Sequence, residues 1–197
     1  EETGMRVVKD PDERKQEILD AAIRVFARKG YEKTSISDIA NEIGISQGLC
    51  YRYFPSKEAI YDAALEEYAQ FIADTNMKKT QIKGLPLREQ IACISRNMRD
   101  YAMTERGQAE LYELFHRPES RKLHNELFLK VAQRLVPYVT GILTEAEMRG
   151  EIQLENPEAM AYFCVFGQVG ILMSEQYSEQ EKTEHIKQCL LEMLHLI

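Results

Sequence analysis

The sequence predicts an all-α chain of about nine helices, with a small three-helix head at residues 5–56 and a larger helical domain at 57–197. Three observations carry this. Every periodic apolar segment repeats at three- and four-residue spacing. Ser, Asn, Gly and Pro fall where helices need caps and stops. No segment shows strand or hairpin signals.

Residues 11–29 place Ile18, Ala22, Val25 and Phe26 on one face, and Gly30 after Arg28 and Lys29 reads as the stop. Ser35 and Asp38 have cap spacing, and Ile36, Ile39, Ala40 and Ile43 stripe a short second helix. Gly44 breaks it, and Ser46 caps a third helix containing Leu49, Cys50 and Tyr53. Phe54-Pro55-Ser56 closes that helix. Ser56 caps a longer one from Lys57, with Ile60, Ala64, Tyr68 and Phe71 on one side. Residues 75–85 lack a strong period and place Gly84 before Pro86, which predicts a linker.

Helices follow at about 86–104 (Leu87, Ile91, Ile94, Met98, Tyr101) and about 108–116. A long helix is predicted over about 118–149. Its stripe of Leu123, Leu127, Val131, Leu135, Tyr138 and Ile142 continues across Pro137, which predicts one kinked helix rather than two. Gly150 ends it. Asn156-Pro157 opens the next helix, which carries the apolar run from Tyr162 to Met173 and should be buried on most sides. Ser178-x-x-Glu181 is a capping box opening the last, with Ile186, Leu190, Met193 and Ile197.

A chain of 197 residues, 44% hydrophobic and 29% charged, can bury a real core, which excludes disorder as its main state. The apolar run at 162–173 has 12 residues, short of the about 20 needed to span a bilayer. No membrane partner is expected. The opening EETGMRVVKDPDER has no apolar signal core, so a cytoplasmic protein is expected. Cysteines 50, 93, 164 and 189 form no CxxC pair and read as reduced, buried thiols; no metal and no cofactor is predicted. The net charge of −7 is uneven. Residues 5–57 carry ten Lys and Arg against eight Asp and Glu, whereas 58–197 carry fifteen against twenty-two. A mildly basic head on an acidic body is compatible with a local contact to DNA.

The informative stretch is 35–54, two short helices joined by a three-residue turn containing Gly44. That is the sequence form of a helix-turn-helix, although an αα-corner with a solvated face has the same pattern. Ala40 is small where the two helices cross, Gly44 can take a left-handed backbone, and Ile45 plugs the angle. Ile18, Phe26, Ile36, Ile39, Ile43, Leu49 and Phe54 are the expected core. Ser46, Gln47, Gly48, Tyr51 and Arg52 then face outward. Gln47 can offer a donor and an acceptor to an adenine edge. Gly48 lets the backbone approach the groove, Tyr51 can reach a phosphate or a thymine methyl, and Lys57 begins a helix whose N-terminal dipole favours phosphate.

The head also resembles the tetracycline-repressor (TetR) family of bacterial transcription regulators. The matching residues are Ile18, Leu19, Ala21, Ala22, Phe26, Gly30 and Tyr31; Thr34, Ile36, Ile39 and Ala40; Gly44-Ile45-Ser46; and Tyr51, Tyr53, Phe54 and Lys57. They span about 50 contiguous residues at the family's spacings; Cys50 departs, where a larger apolar residue is common. The resemblance implies a two-fold dimer reading two half-sites of a palindromic operator, released by a small effector in the C-terminal domain. It places DNA contacts at Thr34, Ser35, Ser46, Gln47, Gly48, Tyr51, Tyr53 and Lys57. Arg52 joins them from its charge and position. The expected activity is that of a regulator, most simply a repressor.

Beyond about residue 70 the residues alone must be read. Tyr68, Phe71, Met98, Tyr112, Phe115 and Tyr138 suit a plastic pocket for an apolar or amphipathic ligand, and equally suit plain core. Glu110 and Glu113 could select a cationic ligand. Phe163, Phe166, Gly167 and Gly170, with Leu190 and Leu194 of the last helix, are the expected homodimer seam, the glycines allowing close helix approach. No nucleotide-binding, zincin or hydrolase motif is present. Glu113-x-x-His116 and Glu192-x-x-His195 have the spacing of a di-iron carboxylate bundle, but His195 is the third residue from the end of the sequence, a poor place for a buried ligand. No catalytic residue is assigned.

Overall fold

The computed structural model describes residues 10–79, 84–100 and 120–196, with the side chains of 79 and 94–100 left aside. Among the described residues there are eight helices and no strand: α1 Pro11–Lys29, α2 Ile36–Glu42, α3 Gln47–Tyr53, α4 Lys57–Lys79, α5 Leu87–Asp100, α6 Arg121–Met148, α7 Pro157–Leu172 and α8 Glu179–Met193. The helix expected at 108–116, with Glu110, Glu113 and His116, lies outside the described residues. No described helix is long and apolar enough to cross a membrane.

The chain divides into two compact units. The first runs through Glu67 and takes in the start of α6 to Leu123; the second takes the remainder of α4 and α6 with α5, α7 and α8. The first unit thus extends past residue 56 into α4.

In the first unit the punctuation sits where the sequence puts it. Asp10 caps α1 by accepting from the Asp12 N–H at 2.9 Å, with Pro11 at the first position. Gly30 ends α1 at φ 77° while its N–H donates to the Phe26 carbonyl. Gly44 turns the chain at φ 66°, and the Ile45 N–H reaches back to the Ala40 carbonyl at 3.0 Å. The core holds Ile18, Ala22, Val25, Phe26, Ile36, Ile39, Ala40 and Phe54 as expected. Ile43 and Leu49 are only half-buried. Cys50 of α3 and its C-cap residue Phe54, one turn apart, face inward instead. The Ser120 hydroxyl, fully buried, donates to the Ala27 carbonyl and ties the start of α6 to the end of α1.

The second unit packs Leu87, Ile91, Ala132, Val136, Leu143, Ala146, Ile152, Ala161, Val165, Val169, Ile186 and Leu190 into one cluster. Three expectations are corrected. Helix α4 continues through 75–79, which the sequence reading gave to a linker: each added residue closes one more backbone bond, so a formed helix propagates through weakly patterned sequence. The buried stripe of α6 is Leu123 and Leu127, then Ala132, Val136, Leu143 and Ala146; Val131, Leu135, Tyr138 and Ile142 flank it half-buried. Small side chains at the contact let helices approach closely, so the seam follows Ala132 and Ala146 rather than their bulkier neighbours. The helix continues through Pro137, which sits on its exposed side. Third, Cys189 is exposed and Cys93 half-buried; only Cys50 and Cys164 are buried. Burial pushes the Cys164 thiol up to about 11.

Gly150 closes α6 at φ 74°, Asn156 caps α7 through the Ala159 N–H at 2.9 Å, and Ser178 with Glu181 forms the reciprocal box of α8. Glu192 and His195 both lie exposed at the end of α8. Among the described residues no group of three or more His, Cys, Asp or Glu could hold a metal.

Candidate nucleic-acid interface

A helix can read a groove only if it is held rigidly, and α2 is braced at both ends. At its start, Ser35 accepts from the Asp38 N–H at 3.1 Å while the Asp38 carboxylate accepts from the Ser35 N–H at 2.9 Å. The same carboxylate accepts from Lys29 of α1 at 2.6 Å. The Lys29 hydrogen bond, then the two from Ser35, hold Asp38 down to about 2. At its other end, Glu42 accepts from Arg28 at 2.6 Å and faces Arg24 at 3.6 Å, which lowers the carboxyl and raises the Arg28 guanidinium. Exposed ion pairs contribute little stability singly. Their placement at both ends fixes the angle of α2 on α1.

Helix α3 then presents its outer face. Ser46 caps it, accepting from the Leu49 N–H at 3.3 Å. Gln47, Gly48 and Arg52 are exposed, Tyr51 is 50% exposed, and Tyr53 is half-buried. A Cβ built on Gly48 meets nothing within 4 Å, so the space beside it is open. Six of the nine expected contact residues (Ser35, Ser46, Gln47, Gly48, Tyr51 and Arg52) are therefore exposed.

Two have other work. Thr34 is only 3% exposed, and its hydroxyl donates to the Gly30 carbonyl at 2.7 Å. It fixes the turn from α1 to α2 rather than offering its side chain to a partner. Lys57 is half-buried, donates to the Tyr31 carbonyl at 3.0 Å, and stands 4.2 Å from the centre of the Tyr31 ring. An ammonium has three donors, so a phosphate contact is still open to it.

Sequence reasoning missed two residues here. Tyr31 is a hub: its hydroxyl donates to Glu58 at 2.9 Å, its ring packs against Phe26 and Tyr61, and Lys122 of α6 stands 5.3 Å from its centre. Desolvation first, then Glu58, pushes its hydroxyl up to about 12. Ser37 donates to the Gln47 side-chain carbonyl at 3.1 Å, joining α2 to α3. No local pattern announces either partnership, since the partners lie 27 and 10 residues apart in the sequence.

In the second unit Tyr68 and Phe71 stack with ring centres 6.3 Å apart, Phe71 being exposed, and Tyr138 is half-buried. The Met98 side chain, Tyr112 and Phe115, the other expected pocket residues, lie outside the described residues. On α7, Phe163 is 74% exposed, Gly167 and Gly170 are exposed, and Phe166 is half-buried. Leu190 and Leu194, expected in the dimer seam, are instead 8% and 4% exposed within their own chain. They fill the cluster formed with α5 and α7, because an α8 stripe at four-residue spacing has only one apolar face and the monomer's core takes it.

A family model described as bacterial regulatory proteins, tetR family, matches residues 18–64, the span that builds this interface. The HTH-type transcriptional regulator YerO of Bacillus subtilis (strain 168), itself uncharacterized, is 29% identical over 180 residues, covering 77% of this chain and 62% of that protein. The fatty acid metabolism regulator protein of the same organism is 29% identical over 157 residues, 78% of each chain. Among solved structures, the transcriptional regulator FadR from Bacillus subtilis, in complex with stearoyl-CoA, shares the fold with a TM-score of 0.60 at 22% identity, over 89% of this chain and 96% of that one.

Proposed function

We propose, from the premise that the chain belongs to the TetR family of bacterial transcription regulators, that it is a cytoplasmic, ligand-responsive repressor which binds a palindromic operator as a homodimer. Its relatives are regulators, not enzymes. The observation that carries the reading is the outward face of α3, where Gln47, Gly48, Tyr51 and Arg52 are exposed on a helix packed against α2, which ion pairs brace on α1. Gln47 supplies base reading, Arg52 and Lys57 phosphate contacts, and Ser35, Ser46 and Tyr51 further backbone contacts. The testing experiment is selection of duplexes from a random-sequence library by the full chain. Recovery of no sequence preference, and no binding at low salt, defeats the reading.

Phosphate contacts have a signature. Arg52→Ala and Lys57→Ala should each weaken binding to all duplexes and flatten the dependence of log affinity on log salt by about one unit. Lys57→Ala should also lower the melting temperature, since Tyr31 loses the Lys57 hydrogen bond, whereas Arg52→Ala should not. Titration of both variants from low to high salt checks this; an unchanged slope removes that residue from the contact list.

Gly48→Ala separates folding from binding. The new methyl meets nothing within the chain, so stability should hold or rise by up to about 1 kcal/mol. Operator affinity should fall roughly tenfold, because the backbone can no longer approach the base edges. Equal affinity for both proteins would mean that α3 does not enter the groove at this point.

For the effector, an amphipathic acyl chain is the class favoured by the fatty acid regulator among the relatives and by the stearoyl-CoA complex of the shared fold. Helix α4 carries Lys57 at its start and the Tyr68–Phe71 pair farther along. A ligand that meets that pair acts on the helix that bears a phosphate contact. Only differential affinity for the free and operator-bound states can release DNA. Stearoyl-CoA should lower operator affinity about 5–150-fold, and operator should weaken stearoyl-CoA by the same factor. Equal stearoyl-CoA affinity with and without operator rules out release by this ligand.

A further inference from the structure

We propose that Ser37 is a positioning residue for sequence reading: its hydroxyl pins the Gln47 side chain across the turn, so that α3 meets a base edge with a preset amide. This rests on the DNA-binding reading above. Ser37 follows the buried Ile36 on α2 and is half-buried, whereas Gln47 is the first residue of α3 and is exposed. The Ser37 hydroxyl donates to the Gln47 side-chain carbonyl at 3.1 Å. Ten residues of chain and the Gly44 turn separate the two.

A free glutamine side chain has three rotatable bonds, and ordering it on binding carries an entropic cost. An amide already held in one arrangement avoids most of that cost, and the gain falls on the base it fits. The Ser37 bond occupies one lone pair of the carbonyl. The second lone pair and both amide hydrogens remain for a base, which is the acceptor-and-donor set that an adenine edge pairs with. Ser37 itself needs no contact with DNA. Its effect is on discrimination at one base pair, while phosphate contacts set general affinity.

The test uses the full chain and a duplex selected from a random-sequence library. Four versions carry each base pair at the position where Gln47→Ala loses its preference, and a scrambled duplex of equal length is the control. Ser37→Ala should reduce discrimination at that position by about 3–10-fold, with scrambled-duplex affinity and the salt slope unchanged. Ser37→Thr, which keeps the hydroxyl, should restore it. In a Gln47→Ala background Ser37→Ala should add nothing. Equal losses on selected and scrambled duplexes, or an additive effect in the Gln47→Ala background, overturn the proposal and leave DNA binding intact. Absence of any duplex preference in the unaltered chain overturns both.

Discussion

Phe26→Ala is expected to destabilise the head by about 3–5 kcal/mol, the usual cost of emptying a fully buried aromatic site. Phe26 is 0% exposed. Its ring meets Tyr61 edge-on at 5.1 Å and lies 5.8 Å from the Tyr31 ring. Such pairs add about 0.5–1.5 kcal/mol beyond burial alone. The loss spreads, because Tyr31 in turn holds Lys57 and Glu58 of α4. A whole domain has only about 5–15 kcal/mol of stability, so the head should be largely unfolded at physiological temperature and operator binding lost with it. Denaturant titration followed by circular dichroism, beside a duplex-binding assay, checks both parts. A midpoint close to that of the unaltered chain, with binding retained, shows that the head's core does not depend on this ring.

The head was more legible in the sequence than the body, and the reason is physical. Caps and stops are local: Ser35 with Asp38, Gly30, Gly44 and Ser46 each act on backbone groups within a few residues. The exposed face of α3 followed from period and turn. What could not be read were partnerships between helices. Ser37 and Gln47, Lys57 and Tyr31, and Ser120 and Ala27 join residues with no shared local pattern. The family resemblance placed Thr34 among the contacts, yet its side chain is buried and bonded to the end of α1. In the body, the α6 stripe had apolar residues on two adjacent faces, and only packing decides between them. Leu190 and Leu194 satisfied a helical period, but period does not say whether a face meets its own chain or another copy.

That distinction fixes the second large effect. Phe163→Glu should abolish dimerisation at micromolar concentration, raising the dimer dissociation constant by about a hundredfold or more, as for a central interface anchor. Helix α7 turns Ala161, Cys164, Val165 and Val169 inward. On its other side Tyr162 and Phe163 are exposed, with Phe166, Gly167 and Gly170 three, four and seven residues beyond Phe163. Met173 and Tyr177 extend the exposed apolar surface past the helix end. Exposed apolar residues gathered on one side of a helix suit a partner surface, and a second copy is the partner that the proposed palindromic operator calls for. A glutamate at Phe163 would carry its charge out of water into that seam. Gly167→Leu offers an independent route: a Cβ there meets nothing within 4 Å, so the added side chain projects toward the other copy in the proposed seam. Both variants should stay folded, melting cooperatively at a temperature that no longer depends on protein concentration. Both should also lose operator affinity, since two heads can no longer sit on half-sites about 34–36 Å apart. Light scattering and sedimentation at micromolar concentration, with melting curves as control, decide it. Dimers that persist in both variants would move the seam away from α7.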